Sequence, residues 1–331
     1  MAASVWLLAA CTGSSPPSAE DAVDGGPDTS APVESVAVRP RDERLPKMTL
    51  GVNPWTGARV TAAIAEQLVE RRLGYPVEAV ELRDTSRMLS DLSAGELDAV
   101  LEIWPSGLEP REQATIDEGA VASLGELGVV GKTGWYVPRY LIDEDPTLED
   151  WEAYADPAVA ARFATGETGA QGRLLGTDPG YEQFDQELID GLELPFEVIY
   201  SGSEAATAAE LARSTAAGRP ILVYWWSPTA EVARFDLVNV RLPPPSADCL
   251  SAAAPGRPRT CDYPEDRLFK LAAPDLSDRA PDLERFLRAF SLTTEDQLTL
   301  IDGVDNDGRA IADVAAAWID ANPDRWERWF D

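Results

Sequence analysis

The chain has 331 residues, 44% hydrophobic and 26% charged, enough for two domains with sizeable cores. Acidic residues number 58 against 28 basic ones, and the net charge of −30 makes nucleic acid an unsuitable partner. Histidine is absent, which excludes His-based metal sites and Ser-His or Cys-His catalytic pairs.

At the N-terminus an apolar run ends in Leu8-Ala9-Ala10-Cys11. Small residues before a cysteine resemble a bacterial lipobox, in which Cys11 would be lipidated, although this run is short and no basic region precedes it. A stretch rich in Ser, Pro, Asp and Gly continues to about Pro46, the composition of a disordered tether. Residues 1–46 are therefore expected to anchor and space the folded part. No other stretch approaches the length of a membrane span.

From Lys47 the chain alternates strand and helix. "MTLGV" reads as a strand, "TGARVTAAIAEQLVERRLG" as an amphipathic helix closed by Gly74, "YPVEAVEL" as a strand, "TSRMLSDLSAG" as a helix and "LDAVLEIW" as a third strand. That order predicts a parallel sheet with crossover helices. The middle repeats the theme. "VVGKTGWYVPRYL" is extended, "TLEDWEAYAD" and "PAVAARF" helical, "GRLLGTD" strand, "YEQFDQELIDGL" helix, "FEVIYSG" strand, "SEAATAAELARSTAAG" helix and "PILVYWW" strand. After "FDLVNVRLPPP" come a strand, "RLFKLAAP", and three helices, "SDRAPDLERFLRAF", "TTEDQLTLIDGV" and "AIADVAAAWIDANPDRWERWF". The expectation is two α/β units joined by extended segments near 134–138 and 236–242. Residues 47–135 plus 240–331 form the first unit and 136–239 the second, with a ligand cleft at the strands' carboxyl ends.

Cys249 and Cys261 are the remaining cysteines. In an exported protein this pair favours a disulfide, closing a short Pro/Gly-rich loop worth roughly 3 kcal/mol in the chain-entropy model.

The aromatic residues fall in a pattern. Trp55 follows the first strand, Trp104 ends the third, Tyr181 follows a strand of the middle unit, and Trp225 and Trp226 end that unit's last strand. Because successive strand side chains alternate, Trp226 is assigned to the cleft and Trp225 to the opposite face. Trp135 reads as packing in a crossing segment, and Trp151, Trp318, Trp326 and Trp329 as core. Several aromatic faces with few polar neighbours suit a quaternary ammonium, which has no N–H to donate and a charge spread over methyl groups. Each ring contributes about 0.5–2 kcal/mol.

From about Met48 onward the chain resembles the substrate-binding proteins of glycine betaine/choline/proline-betaine ABC importers. The resemblance lies in "EIWPSG", "GWYVPRYLIDEDPTLEDW", "LLGTDPGYEQF", "GSEAATAAELARSTAAGRPILVYWWSP" and "LTTEDQLTLIDGV", in that order. It implies an α/β, two-lobed type II periplasmic-binding-protein fold, each lobe a mostly parallel sheet flanked by helices. It also implies an aromatic cage of Trp104, Trp226 and Tyr181, to which Trp55 is added more from its position after the first strand, with the backbone amides of Glu182 and Gln183 facing a ligand carboxylate at a helix N-terminus. The implied partners are a quaternary ammonium compound, an ABC permease with its ATPase, and the membrane through lipid on Cys11. No cofactor or metal is called for, the protein acts as a monomer, and it sits outside the cytoplasm. The chain departs from the family pattern in lacking a cage histidine and in having Thr229 and Ala230 after the Trp-Ser-Pro element, which places choline beside the betaines as a candidate ligand.

A secreted hydrolase is the alternative. "TDPGYEQFDQE" and "IDGVDNDGRAIAD" supply carboxylates that could pair in glycoside hydrolysis. A run of acids is, however, ordinary surface in so acidic a chain, and the second stretch fails the calcium-loop spacing. A structural surface lipoprotein is the third reading, and it would not need aromatics at four strand ends.

Overall fold

A computed structural model describes residues 45–331 except 182–183, 247–248 and 250–258. Cys11 and the tether up to residue 44, together with Glu182 and Gln183, lie outside the described residues. Among the described residues no helix is long and apolar enough to cross a membrane.

Nine strands form one sheet among the described residues: β1 (Met48–Val52), β2 (Val77–Glu81), β3 (Ala99–Ile103), β4 (Ala122–Pro138), β5 (Gly172–Gly176), β6 (Phe196–Tyr200), β7 (Leu222–Ser227), β8 (Leu237–Asn239) and β9 (Glu265–Ala272). Their order is β2-β1-β3-β9-β4-β7-β5-β6, with β8 also on β4. Each end is a parallel triplet, β2-β1-β3 and β6-β5-β7. Between them β9 and β4 run antiparallel to their neighbours. β4 belongs to both halves: Ala122–Lys132 pairs with β9, and Lys132–Pro138 pairs with β7 and β8. The two halves therefore repeat one topology, β2-β1-β3-β9-β4 and β6-β5-β7-β4-β8, the second beginning where β4 leaves β9. The expected two-lobed α/β fold is the one observed.

The parallel crossovers are the helices expected. Thr56–Leu68 follows β1 and buries Val60, Ile64, Ala65 and Leu68 on one face. A wider turn carries it to Leu73, and Gly74, at φ 84°, stops it, the left-handed C′ conformation that glycine adopts without strain. Thr85–Ala94 links β2 to β3, capped by the Asp84 side chain. Glu204–Ala216 links β6 to β7, capped by Ser203.

Several segments depart from expectation. β4 begins at Ala122, well before the extended segment read from sequence, because Gly125 and Gly128 sit in irregular pairings with β9 at φ 85° and 100°. "TLEDWEAYAD" and "PAVAARF" form short turns of 3₁₀ type and a four-residue helix. The chain enters them through Pro146 and Pro157, each preceded by an extended or irregular residue. "SDRAPDLERFLRAF" breaks at Ala280, before Pro281, and the last helix breaks at Asn322, before Pro323. A helix over Pro110–Asp117, opened by a Glu109/Glu112 capping box, was not expected.

Two main cores lie on the two halves. One gathers Leu50, Val60, Ile64, Phe286, Phe290 and Trp329; the other gathers Trp135, Tyr154, Phe163, Leu174, Phe196 and Trp225. Trp318 and Trp329 stack with centroids 6.2 Å apart, and Trp326 donates its indole N–H to the Ile319 carbonyl at 2.8 Å, so the C-terminal tryptophans fasten the broken helix to the first core. Cys249 and Cys261 are disulfide-bonded.

Candidate functional site

The candidate site forms where four strands end. Trp55 comes three residues after β1, at the N-cap of the next helix, and Trp104 comes directly after β3. Tyr181 follows β5 by five residues, and Trp226 is the penultimate residue of β7. All four line one cavity, with Tyr224 and Tyr263, and its volume is about 80 Å³. Tyr181 stands edge-on between Trp55 and Trp226, with centroids 5.7 Å from each and interplanar angles of 85° and 76°. Trp104 lies against β4 at Gly131, where an added Cβ would fall 2.3 Å from the indole ring.

Sequence reasoning missed the group that fixes the first-half tryptophans. Glu102, the penultimate residue of β3, is 2% exposed. Its Oε1 accepts the Trp55 indole N–H at 2.6 Å and that of Trp104 at 3.1 Å. Its Oε2 accepts from Gln297 Nε2 at 2.7 Å. Burial pushes the Glu102 carboxyl above its ordinary value, while these three donors oppose the shift. The side chain accepts in every one of these bonds, as an ionised carboxylate does. One oxygen thus sets the planes of both rings.

A second buried carboxylate serves the other half. Asp185 is 1% exposed; its Oδ1 accepts the Trp135 indole N–H at 2.7 Å and the Tyr263 hydroxyl at 2.9 Å. Its Oδ2 is buried without a partner, and burial pushes its pKa up to about 7. Tyr263 stacks on Phe184 at 3.9 Å, and the Arg259 guanidinium lies 4.2 Å over the Phe184 ring. The disulfide at Cys261 is followed by Asp262, which pairs with Lys132 of β4 at 2.8 Å, and then by Tyr263. The cysteine loop thereby reaches the cavity wall.

Tyr224 was legible in principle, since it lies two residues before Trp226 on the same strand face. Tyr263 had no local signal. The expectation for Trp225 needs correction. Trp225 is fully buried and does not line the cavity, but its ring stacks on Trp226 at 4.7 Å and 22° rather than standing apart. The strand is ending here, and the Trp225 indole N–H turns to Thr229 Oγ1, four residues on, at 2.8 Å, which brings the ring alongside its neighbour. Trp135 is buried in the second core as packing, with the added bond to Asp185.

Residues 46–321 match the family described as the substrate-binding domain of the ABC-type glycine betaine transport system. The chain belongs to that family. Its members are extracytoplasmic binding proteins that serve ABC importers, and its structural neighbours are binding proteins rather than enzymes. A similar protein is the trimethylamine N-oxide-binding protein of Pelagibacter ubique (strain HTCC1062), 25% identical over 86% of this chain and 90% of that one. Lactococcal OpuAC, closed on glycine betaine, shares the fold with a TM-score of 0.66 at 17% identity, covering 86% of this chain and 99% of its own. An ABC-transporter choline-binding protein in complex with choline gives 0.65 at 21%, covering 86% and 91%.

Proposed function

We propose that this binding protein captures a compact trimethylammonium compound (glycine betaine, choline, another betaine or trimethylamine N-oxide) in a cage of Trp55, Trp104, Tyr181 and Trp226. The observation that carries the reading is the convergence of these rings on one small cavity, with the Glu102 carboxylate behind two of them. A methylated cation gains apolar contact and quadrupole attraction from each face, about 0.5–2 kcal/mol per ring. Three or four rings thus supply much of the roughly 8 kcal/mol that micromolar affinity requires. Glu102 adds a negative charge that no hydrogen-bonding ligand atom needs to reach.

Residues 47–135 with 240–331 act as one lobe and 136–239 as the other, and the ligand bridges them and favours their closure. Glu182 and Gln183 are assigned the ligand carboxylate from their place in the sequence. Lipid on Cys11 holds the protein at the outer face of the membrane, where the monomer meets its permease.

The test is a tryptophan fluorescence titration with glycine betaine, choline, proline betaine, carnitine and trimethylamine N-oxide, with maltose as the neutral control. A saturable change with a methylated amine alone is expected, and Trp104→Ala or Trp226→Ala should weaken it by at least about tenfold, or 1.4 kcal/mol. Silence toward every amine, or unchanged affinity in both variants, would remove the cage.

A further inference from the structure

Beside the cage lies a second cavity of about 450 Å³, which shares Tyr181 and Arg83 with the first. Four carboxylates line it; Asp178 pairs with Arg83, and the other three come from three directions. Asp305 ends the Thr294–Asp305 helix of the first half, Glu204 opens the Glu204–Ala216 helix, and Glu231 lies on the short Ala230–Arg234 helix after β7. Glu231 is 6% exposed, and its Oε2 is buried without a hydrogen-bond partner. A buried carboxylate oxygen with no donor is costly when charged and far less so when it carries a proton.

Arg59 and Arg83 donate to acceptors other than these three carboxylates, and Arg234 is shared between Glu231 and the end of the Thr294–Asp305 helix. Arg59 donates to Glu81 at 2.5 Å, and Arg83 to Asp178 at 3.0 Å. Arg234 donates to the Asp305 carbonyl at 2.5 Å and to Asn306 Oδ1 at 2.7 Å, and lies 3.6 Å from Glu231 Oε1. Asp305 Oδ1 also accepts the Thr56 hydroxyl at 3.0 Å, and Asp302 adds a further negative charge from the same helix. We propose that Glu204, Glu231 and Asp305 form a proton-binding site at the seam between the halves, so that closure on a ligand takes up protons and acid favours the closed, loaded protein. This rests on the cleft-closure reading given above.

The direction follows from the environment of each acid. Burial first, then the facing Glu231 and Asp305, push Glu204 from 4.5 up to about 8, with Arg59 opposing. Burial also pushes Glu231 and Asp305 up, each against its arginine neighbours. When the halves part, these carboxylates regain water and separate, and their affinity for protons falls toward the ordinary value. Closure therefore holds more protons than the open form between about pH 4.5 and 8. Its advantage is complete below the ordinary carboxylate value and is lost as pH rises through about 8.

The experiment is calorimetric titration at pH 5.5, 6.5, 7.5 and 8.5 with choline and glycine betaine, neither of which titrates in this range. Each pH is run in two buffers of different ionisation enthalpy, so that proton uptake is read directly. The full chain should bind about tenfold more tightly at pH 5.5 than at 8.5 and take up protons at pH 6.5. Glu204→Gln with Glu231→Gln should lose most of the proton uptake and bind at pH 8.5 nearly as the parent does at 5.5. A pH-independent affinity without proton uptake would overturn the site, as would an unchanged pH profile in the double variant. If neither amine binds at any pH, choline and glycine betaine are struck from the proposed ligands, and the other methylated amines remain. The seam is then judged by small-angle scattering, where a smaller radius of gyration at pH 5.5 than at 8.5 supports it and equal radii overturn it.

Discussion

At the residue scale the two buried carboxylates have separable consequences. Replacing Glu102 by Gln preserves its shape but turns an acceptor into a donor facing Trp55, Trp104 or Gln297. It leaves at least one buried N–H unpaired, at a cost of about 1–3 kcal/mol, and it removes the carboxylate behind the Trp55 and Trp104 rings. Calorimetry on Glu102→Gln should give at least about a tenfold loss of affinity for a trimethylammonium ligand. A lowered unfolding midpoint with affinity intact would leave Glu102 a purely structural residue. For Asp185 the sign is set by burial, which lifts its folded pKa from 3.8 to about 7. Stability from its protonated form is complete below about pH 3.8 and is lost as pH rises toward 7. Asp185→Asn should therefore flatten the fall in unfolding free energy between about pH 4 and 7, and a profile matching the parent would refute the assignment. Trp55, Trp104, Tyr181 and Trp226, which line the cavity, were legible because each stands at or just after a strand end, where core packing does not call for a ring. Glu102 was not. A lone acid within "VLEIW" reads as a solvent-facing strand residue, and only the fold brings Gln297 and Trp55 to it.

At the scale of elements, the edge-forming triplets followed from apolar runs separated by capped helices, and those readings held. β4 was legible only in its second half, because "GELGVVGKTG" carries four glycines, a composition that argues against a strand. Two of those glycines absorb the irregular pairing with β9, and Gly131 leaves room for a ring. Its smallest substitution tests this: in Gly131→Ala the new methyl would fall on the Trp104 indole. Trp104 must then tilt into the cavity, and ligand affinity should fall several-fold while far-ultraviolet circular dichroism stays that of the parent. Unchanged affinity would mean that the ring has another resting place. Helical readings failed at Pro281 and Pro323, where a periodic pattern continues across a residue that cannot continue a helix, and after Pro146 and Pro157, where only short turns form.

At the scale of the whole molecule, a net charge of −30 sets every surface against its neighbours. Such self-repulsion opposes the compact state and is screened over about 10 Å at 0.1 M salt. The unfolding midpoint should therefore climb by several degrees from 10 mM to 0.5 M sodium chloride, and a flat or falling midpoint would show that local ion pairs outweigh the net field. The shared strand also fixes an order of assembly. The second half-sheet, from the end of β4 through β8, has all its strands once residue 239 has been made. The first half waits for β9, which enters between β3 and β4 only after Glu265 emerges. Until then β3 and β4 each present a bare edge, a ready template for pairing with another chain. From residue 239 until β9 ends at Ala272, those two edges stay open to pairing with another chain.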